Sequence, residues 1–231
     1  MTGNKARIIS FSGIDGAGKS TQISSLSSWL TENGFRVSIL AMWDDIVVGA
    51  KFREAASLHA FRGDQGIGTP ERPLQRRDKN VTAWPLTLVR SALYAADAWS
   101  LKLRMRHFKE NNEDVIIFDR YIYDEIVNLP LEQKWARGVA RLLLGLAPQP
   151  DLAFIVDAAP EAACTRKPEY PLEFVQRNRA TYLELINLAP NICVVGDGSI
   201  EETNRMIQNK VVASNFFALN SPMLPRCIPA D

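Results

Sequence analysis

The sequence predicts an α/β domain built on a parallel β-sheet with helices on both faces. Three observations lead there. Short runs rich in β-branched and aromatic residues alternate along the chain with stretches of helical periodicity. The short runs are almost continuously apolar rather than alternating, which is the pattern of strands buried on both sides. The chain has 231 residues, 46% of them hydrophobic and 23% charged, enough for one domain with a full core.

The elements follow in order. Residues 7–12 (RIISFS) form the first strand, ending at Gly13. After a glycine-rich loop, Ile23, Leu26 and Leu30 recur at helical spacing, and Gly34 stops that helix. Residues 35–42 read as the second strand, and a helix is expected over about 48–60. Residues 62–85 hold Gly, Pro and charge without periodicity, so they read as an irregular insert. Pro85 opens a long helix running to about Lys109, with Leu86, Val89, Leu93 and Ala96 as its apolar stripe. Residues 114–119 form the third strand, and a helix over 132–147 presents Trp135, Val139, Leu142 and Leu146 on one face. The fourth strand covers 151–157, a short helix starts at Pro160, and a longer one covers 172–189. Residues 191–196 form the fifth strand and 199–213 the last helix. These elements make one domain over 1–215, followed by a tail over 216–231 carrying Pro222, Pro225 and Pro229.

Bulk properties exclude several function classes. A formal net charge of +1 gives no global field for nucleic acid, so an anionic ligand must be held by a local cluster. Cys164, Cys193 and Cys227 lie far apart, with no CxxC pair and no metal-ligand spacing. The N-terminal apolar stretch is too short for a signal-peptide core, and no run reaches the length of a membrane span. A cytoplasmic protein that meets neither membrane nor nucleic acid is expected. His59 and His107 show no partner pattern.

The glycine-rich loop carries the chemistry. Gly13-Ile14-Asp15-Gly16-Ala17-Gly18-Lys19-Ser20 fits G-x-x-x-x-G-K-S/T, between a strand and an amphipathic helix. Small residues let successive backbone N–H groups converge on phosphates, and the helix N-terminus adds its positive dipole end. Gly13, Gly16, Ala17, Gly18, Lys19, Ser20 and Thr21 are the expected ATP-binding residues, with Lys19 reaching the β- and γ-phosphates and the Ser20 hydroxyl available to Mg²⁺. The motif marks nucleotide binding, which ATPases, GTPases and regulators share.

Asp119-Arg120-Tyr121 follows the third strand directly. Ligands of open parallel sheets bind at the carboxyl ends of strands, which would stand Asp119 and Arg120 beside the loop. Asp119 suits either Mg²⁺ held through water or the positioning of an attacking oxygen. Arg120 suits a bidentate grip on a second phosphate. An Asp–Arg pair that merely caps a strand end is the plainer alternative. A monophosphate acceptor is mostly a dianion at neutral pH, with its second pKa near ~6, so it needs charge neutralised rather than a general base.

The stretch Phe11 to Gln22 resembles the phosphate loop of thymidylate kinases, including the acidic Asp15 inside it. Leu93-Tyr94-Ala95-Ala96-Asp97 resembles that family's helix bearing a base-stacking aromatic, and Asp119-Arg120-Tyr121 its DR-aromatic motif. Leu172-Glu173-Phe174 through Arg177, Arg179 and Tyr182 to Leu185 resembles the helix after its lid, and the likeness runs over roughly 6–210. The resemblance implies a P-loop kinase fold with five parallel strands in the order 2-3-1-4-5. It implies transfer of the ATP γ-phosphoryl to a nucleoside monophosphate, dTMP as the best single choice, with Mg²⁺ held by Ser20 and Asp119, and a homodimer, the form the family commonly takes. Lys19, Asp119, Arg120 and the lid residues Arg166 and Lys167 would be catalytic, with the lid over about 165–172. Asp15, Arg120, Tyr121, Tyr94 and Asp97 would meet the acceptor.

Departures concentrate on the acceptor side. Ala98 stands where the family carries a base-reading arginine, and Ala41 to Ile46 replaces a glycine-rich segment. Arg53 and Arg90 are candidates to supply the missing arginine, or are plain surface charges. Arg72, Arg76, Arg77 and Lys79 form either a second phosphate clamp or a solvated loop. Gly16 occupies the position where some thymidylate kinases carry an arginine, so Arg166, Lys167, Arg177 or Arg179 would supply that charge. A nucleoside or a sugar-related acceptor, and a non-catalytic nucleotide-binding regulator, remain as alternatives.

Overall fold

The computed structural model describes residues 6–47, 84–108, 113–196 and 198–214, without the side chains of 84–88 and 106–108. The expected helix over 48–60, Arg53, the basic cluster at 72–79 and the tail lie outside the described residues.

Five parallel strands form one sheet in the order β2-β3-β1-β4-β5. They are β1 (Arg7–Ser12), β2 (Val37–Ala41), β3 (Val115–Asp119), β4 (Leu152–Asp157) and β5 (Ile192–Gly196). Strand order and direction are those expected. In β1, the consecutive residues Ile8, Ile9, Ser10 and Phe11 are all buried. Neighbours along a strand point to opposite faces, so both faces of the sheet are covered. The edge strands carry the exposed aliphatics, Ile39 on β2 and Val194 on β5.

The helices are α1 (Lys19–Glu32), α2 (Trp84–Phe108), α3 (Ile122–Ile126), α4 (Lys134–Leu146), α5 (Pro160–Arg166), α6 (Leu172–Leu185) and α7 (Ile200–Ala213). Pairwise, α1 packs with α7, α2 with α4, and α5 with α6. Met42–Ile46 form a π-helical turn after β2, where the Asp45 carboxylate accepts from the Ala41 N–H at 2.8 Å. Neither that turn nor α3 is marked by periodicity in the sequence, because each is a single short turn.

Two helix faces differ from expectation. On α4 the buried residues are Ala136, Ala140, Leu143 and Leu144, while Trp135 and Leu142 are exposed. On α2 the buried stripe is Tyr94, Asp97, Ala98, Leu101 and Met105, while Val89, Leu93, Trp99 and Leu103 face outward. Both helices offer two apolar stripes, and in each case alanines lie on the buried one. Small side chains let paired helices approach closely, which outweighs the size of the aliphatics on the other stripe.

Adjacent leucines on α4 test this reversal. Leu143→Ala should cost about 2–5 kcal/mol of unfolding free energy. Leu142→Ala, one residue away and 59% exposed, should change it by no more than about 0.5 kcal/mol. Urea denaturation of the two variants gives the comparison.

Candidate active site

The phosphate loop sits at the carboxyl end of β1, with close backbone approaches on two sides. Gly13 has φ 137°, and a Cβ there would collide with the carbonyl oxygen of Val156 in β4. Gly16 has φ 83°, and a Cβ there would strike the carbonyl of Ala163 in α5. An arginine at position 16 is therefore excluded both by conformation and by space. The lysine of the loop folds back onto it: Lys19 Nζ donates to the carbonyls of Gly13 and Ile14, each at 2.9 Å, and lies 3.9 Å from Asp15. Burial lowers the Lys19 pKa to about 8, and Arg120 adds to the effect while Asp124, Asp15 and Asp119 oppose it.

β3 lies beside β1 with Asp119 in register with Phe11. This pairing brings Asp119 and Arg120 to the loop, as expected. Arg120 takes a left-handed backbone, φ 69°, and its N–H donates to the Phe11 carbonyl at 2.9 Å. The side chain then bridges two acids. One terminal nitrogen donates to Asp15 of the phosphate loop and the other to Asp124 at 3.3 Å. Burial works against the Arg120 charge, but the carboxylates of Asp124 and Asp15 hold its pKa above the ordinary arginine value.

Tyr121 does not belong to this surface. Its side chain is fully buried, its ring packs edge-on against Phe118, and its hydroxyl donates to the Pro148 carbonyl at 2.6 Å. An acceptor contact for Tyr121 is corrected to a core role. Tyr121 has an extended backbone at the cap of α3, and its side chain turns into the core.

A cavity of about 800 Å³ opens along the loop. Asp15 to Gln22 form one wall and Asp119 and Arg120 another. The carboxyl ends of β4 and β5 close it, with Asp157, Arg166, Lys167, Gly196, Ser199 and Thr203. Ser20 and Asp119 thus face the same space with a hydroxyl and a carboxylate, oxygen donors suited to Mg²⁺. Of the four candidates for the missing charge, Arg166 and Lys167 line the cavity, and Arg166 Nη1 lies 3.9 Å from the Cβ position of Gly18. Lys167 pairs with Glu169 at 3.1 Å. Arg179 makes a bidentate pair with Asp157 at 2.7 and 2.6 Å, and Arg177 is exposed.

The acceptor-side residues of α2 are a separate group. Tyr94 and Asp97 are buried and lie outside the lining of this cavity, and Arg90 is half-buried on the same helix. Ala98 has no exposed surface, so an arginine in its place would be driven into the core. Sequence reasoning missed Asp124, Asp157 and the β5–α7 segment. The rule that parallel sheets bind ligands at carboxyl strand ends, applied to Gly196 at the end of β5 and Gly198 beyond it, identifies the last of these.

Comparison with known proteins agrees with this fold. The chain is 32% identical over 213 residues to a probable thymidylate kinase of Methanothermobacter thermautotrophicus, covering 90% of this chain and 95% of that one. It is 32% identical over 186 residues to a probable thymidylate kinase of Methanobrevibacter smithii, covering 78% and 80%. Among solved structures, thymidylate kinase from Candida albicans superposes with a TM-score of 0.61 at 18% identity, covering 92% of this chain and 93% of that one. A family model for the methylmalonyl-CoA mutase-associated GTPase MeaB matches residues 1–46 alone, the segment that contains β1, the phosphate loop, α1 and β2.

The lowered pKa of Lys19 has a measurable consequence. The protonated amine is the form that phosphates bind, and it is lost as pH rises through about 8. Affinity for a nucleotide phosphate should therefore fall between about pH 7 and 9, approaching tenfold per unit at the upper end. Calorimetric titrations in buffers of different ionisation heat should show proton uptake on binding near pH 8–9. A flat affinity with no proton uptake would contradict the assignment.

Proposed function

The chain belongs to the thymidylate kinase family, and from that premise we infer that this nucleoside monophosphate kinase moves the γ-phosphoryl of ATP to dTMP. The observation that carries the reading is the shared cavity in which the phosphate loop and Arg120 face each other across Asp15. Two polyanions must meet in phosphoryl transfer, and the chain has one cation for each: Lys19 on the donor side and Arg120 on the acceptor side. The attacking oxygen is already an anion, so the protein's work is positioning and charge neutralisation. Lys19 and the loop amides hold the β- and γ-phosphates. Arg120, held by Asp124 on one side, would meet the acceptor phosphate with the edge that bonds Asp15. Arg166, from the end of α5, neutralises charge on the group in flight. Ser20 and Asp119 would hold Mg²⁺, which supplies further neutralisation of the phosphates when bound.

Among the described residues no helix is long and apolar enough to cross a membrane. The outward stripe of α2, with Val89, Leu93, Trp99 and Leu103 on one arc, opposes an equally apolar buried stripe. A helix apolar on both sides is characteristic of burial on both sides. We read this face as the contact between two copies in a homodimer. Leu93→Glu should convert a dimeric species to monomer in light-scattering chromatography, while a wild type that runs as monomer at all concentrations would remove the reading.

Turnover provides the direct test. ADP release should be measured with ATP and a panel of nucleoside monophosphates, nucleosides and sugars. dTMP should be phosphorylated, and Lys19→Ala should lower kcat by about a hundredfold or more with the fold intact. Turnover of a nucleoside or sugar but of no monophosphate would overturn the acceptor class.

A further inference from the structure

Asp124 is a buried carboxylate that accepts from four donors on separate parts of the fold. Its Oδ2 accepts from the Ser12 hydroxyl at the end of β1 at 2.6 Å and from the Tyr121 N–H at 3.0 Å. Its Oδ1 accepts from the Tyr182 hydroxyl on α6 at 2.8 Å and from Arg120 Nη1 at 3.3 Å. These four contacts fill the acceptor capacity of a carboxylate. Its side chain is 4% exposed, whereas that of Asp15, the other partner of Arg120, is 15% exposed and lines the cavity. The two grips on the guanidinium therefore differ in kind. Asp124 is tied to β1, α3 and α6, and Asp15 belongs to the phosphate loop itself.

We propose that Asp124 is the positioning residue for Arg120, fixing one side of its guanidinium so that the other side, which bonds Asp15, is held at the cavity wall where an acceptor phosphate can join or replace that carboxylate. The proposal rests on the reading of Arg120 as the ligand of the acceptor phosphate. A long side chain with a left-handed backbone has many rotamers to lose, and a prior anchor removes that cost from the binding step. Tyr182 extends the anchor to α6, the helix that follows the lid residues Arg166 and Lys167 in the chain. Arg120 is thus positioned from the same helix that carries Arg179, whose own fork is taken by Asp157.

Asp124→Asn is the sharpest probe because it keeps size and changes acceptor capacity. The Tyr121 N–H is a fixed donor and needs the amide oxygen, so the amide NH₂ must turn toward Tyr182 and Arg120. Tyr182 can accept through its hydroxyl, but Arg120 is acceptor-less and would face another donor. The variant should lower kcat/KM for dTMP by about ten- to a hundredfold, with KM for ATP changed by less than about twofold. A purely structural role would lower active fraction without this split. In an Arg120→Ala background, the same substitution should change kcat/KM by less than about threefold, because the group it acts through is gone. An equal loss in both backgrounds would overturn the proposal.

A second measurement does not depend on the acceptor. In the wild type, ¹⁵N spectra should show resolved Arg120 Nη signals, slowed in exchange by the two carboxylates. In Asp124→Asn they should collapse to an average. Unchanged, resolved signals in that variant would overturn the proposal whatever the substrate. Full dTMP turnover in Arg120→Ala alone would instead remove the role given to Arg120, with the spectra still reporting on Asp124.

Discussion

The site depends on how closely the backbone of the phosphate loop can approach its neighbours. At Gly13 the loop passes against the Val156 carbonyl and at Gly16 against that of Ala163, distances that leave no room for a Cβ. These two approaches fasten the loop to β4 and to α5 at once. The first sets the loop at the carboxyl ends of the central strands. The second sets α5 over the loop and brings Arg166 to it. The same packing that shapes the phosphate cradle leaves no room for a side chain at position 16, while Arg166 and Lys167 line the cavity from the end of α5.

Charge in the site is arranged as an alternating chain, Lys19 to Asp15 to Arg120 to Asp124. Neither cation is left to face the other without an acid between them. Desolvation weakens both charges, and the acids restore them unequally: Lys19 remains depressed while Arg120 is raised. The difference follows from the number of close carboxylates. Arg120 has direct bonds to two, whereas Lys19 bonds to neutral carbonyls and has one acid at 3.9 Å.

Much of this was legible from sequence, and unevenly. The strands were readable because double-sided burial writes a continuous apolar run, as in VIIF before Asp119. The phosphate loop was readable because glycine is obligatory where backbone meets backbone. Register between β1 and β3 then carried Asp119 and Arg120 to the loop. Helix faces were less readable. On α2 and α4 two stripes compete, and the selected ones include Ala136, Ala140, Ala98 and the polar Asp97, which hydrophobicity alone ranks low. The motif assigns three adjacent residues to one site, while neighbouring side chains point apart and that of Tyr121 enters the core. Asp124 left no pattern, since its partners lie as far as 112 positions away in the chain.

That left-handed turn also bears on what substitutions the chain can accept. A non-glycine residue at positive φ costs about 1 kcal/mol relative to its ordinary conformation. Glycine at 120 would relieve that strain, but it would also leave the buried Asp124 and its neighbour Asp15 without their shared counter-charge, a cost that exceeds the strain relieved. The turn is therefore held in its unfavourable conformation by the same two acids that place the guanidinium at the site. A library screened only for folding would keep the arginine, and with it the group that the chemistry uses.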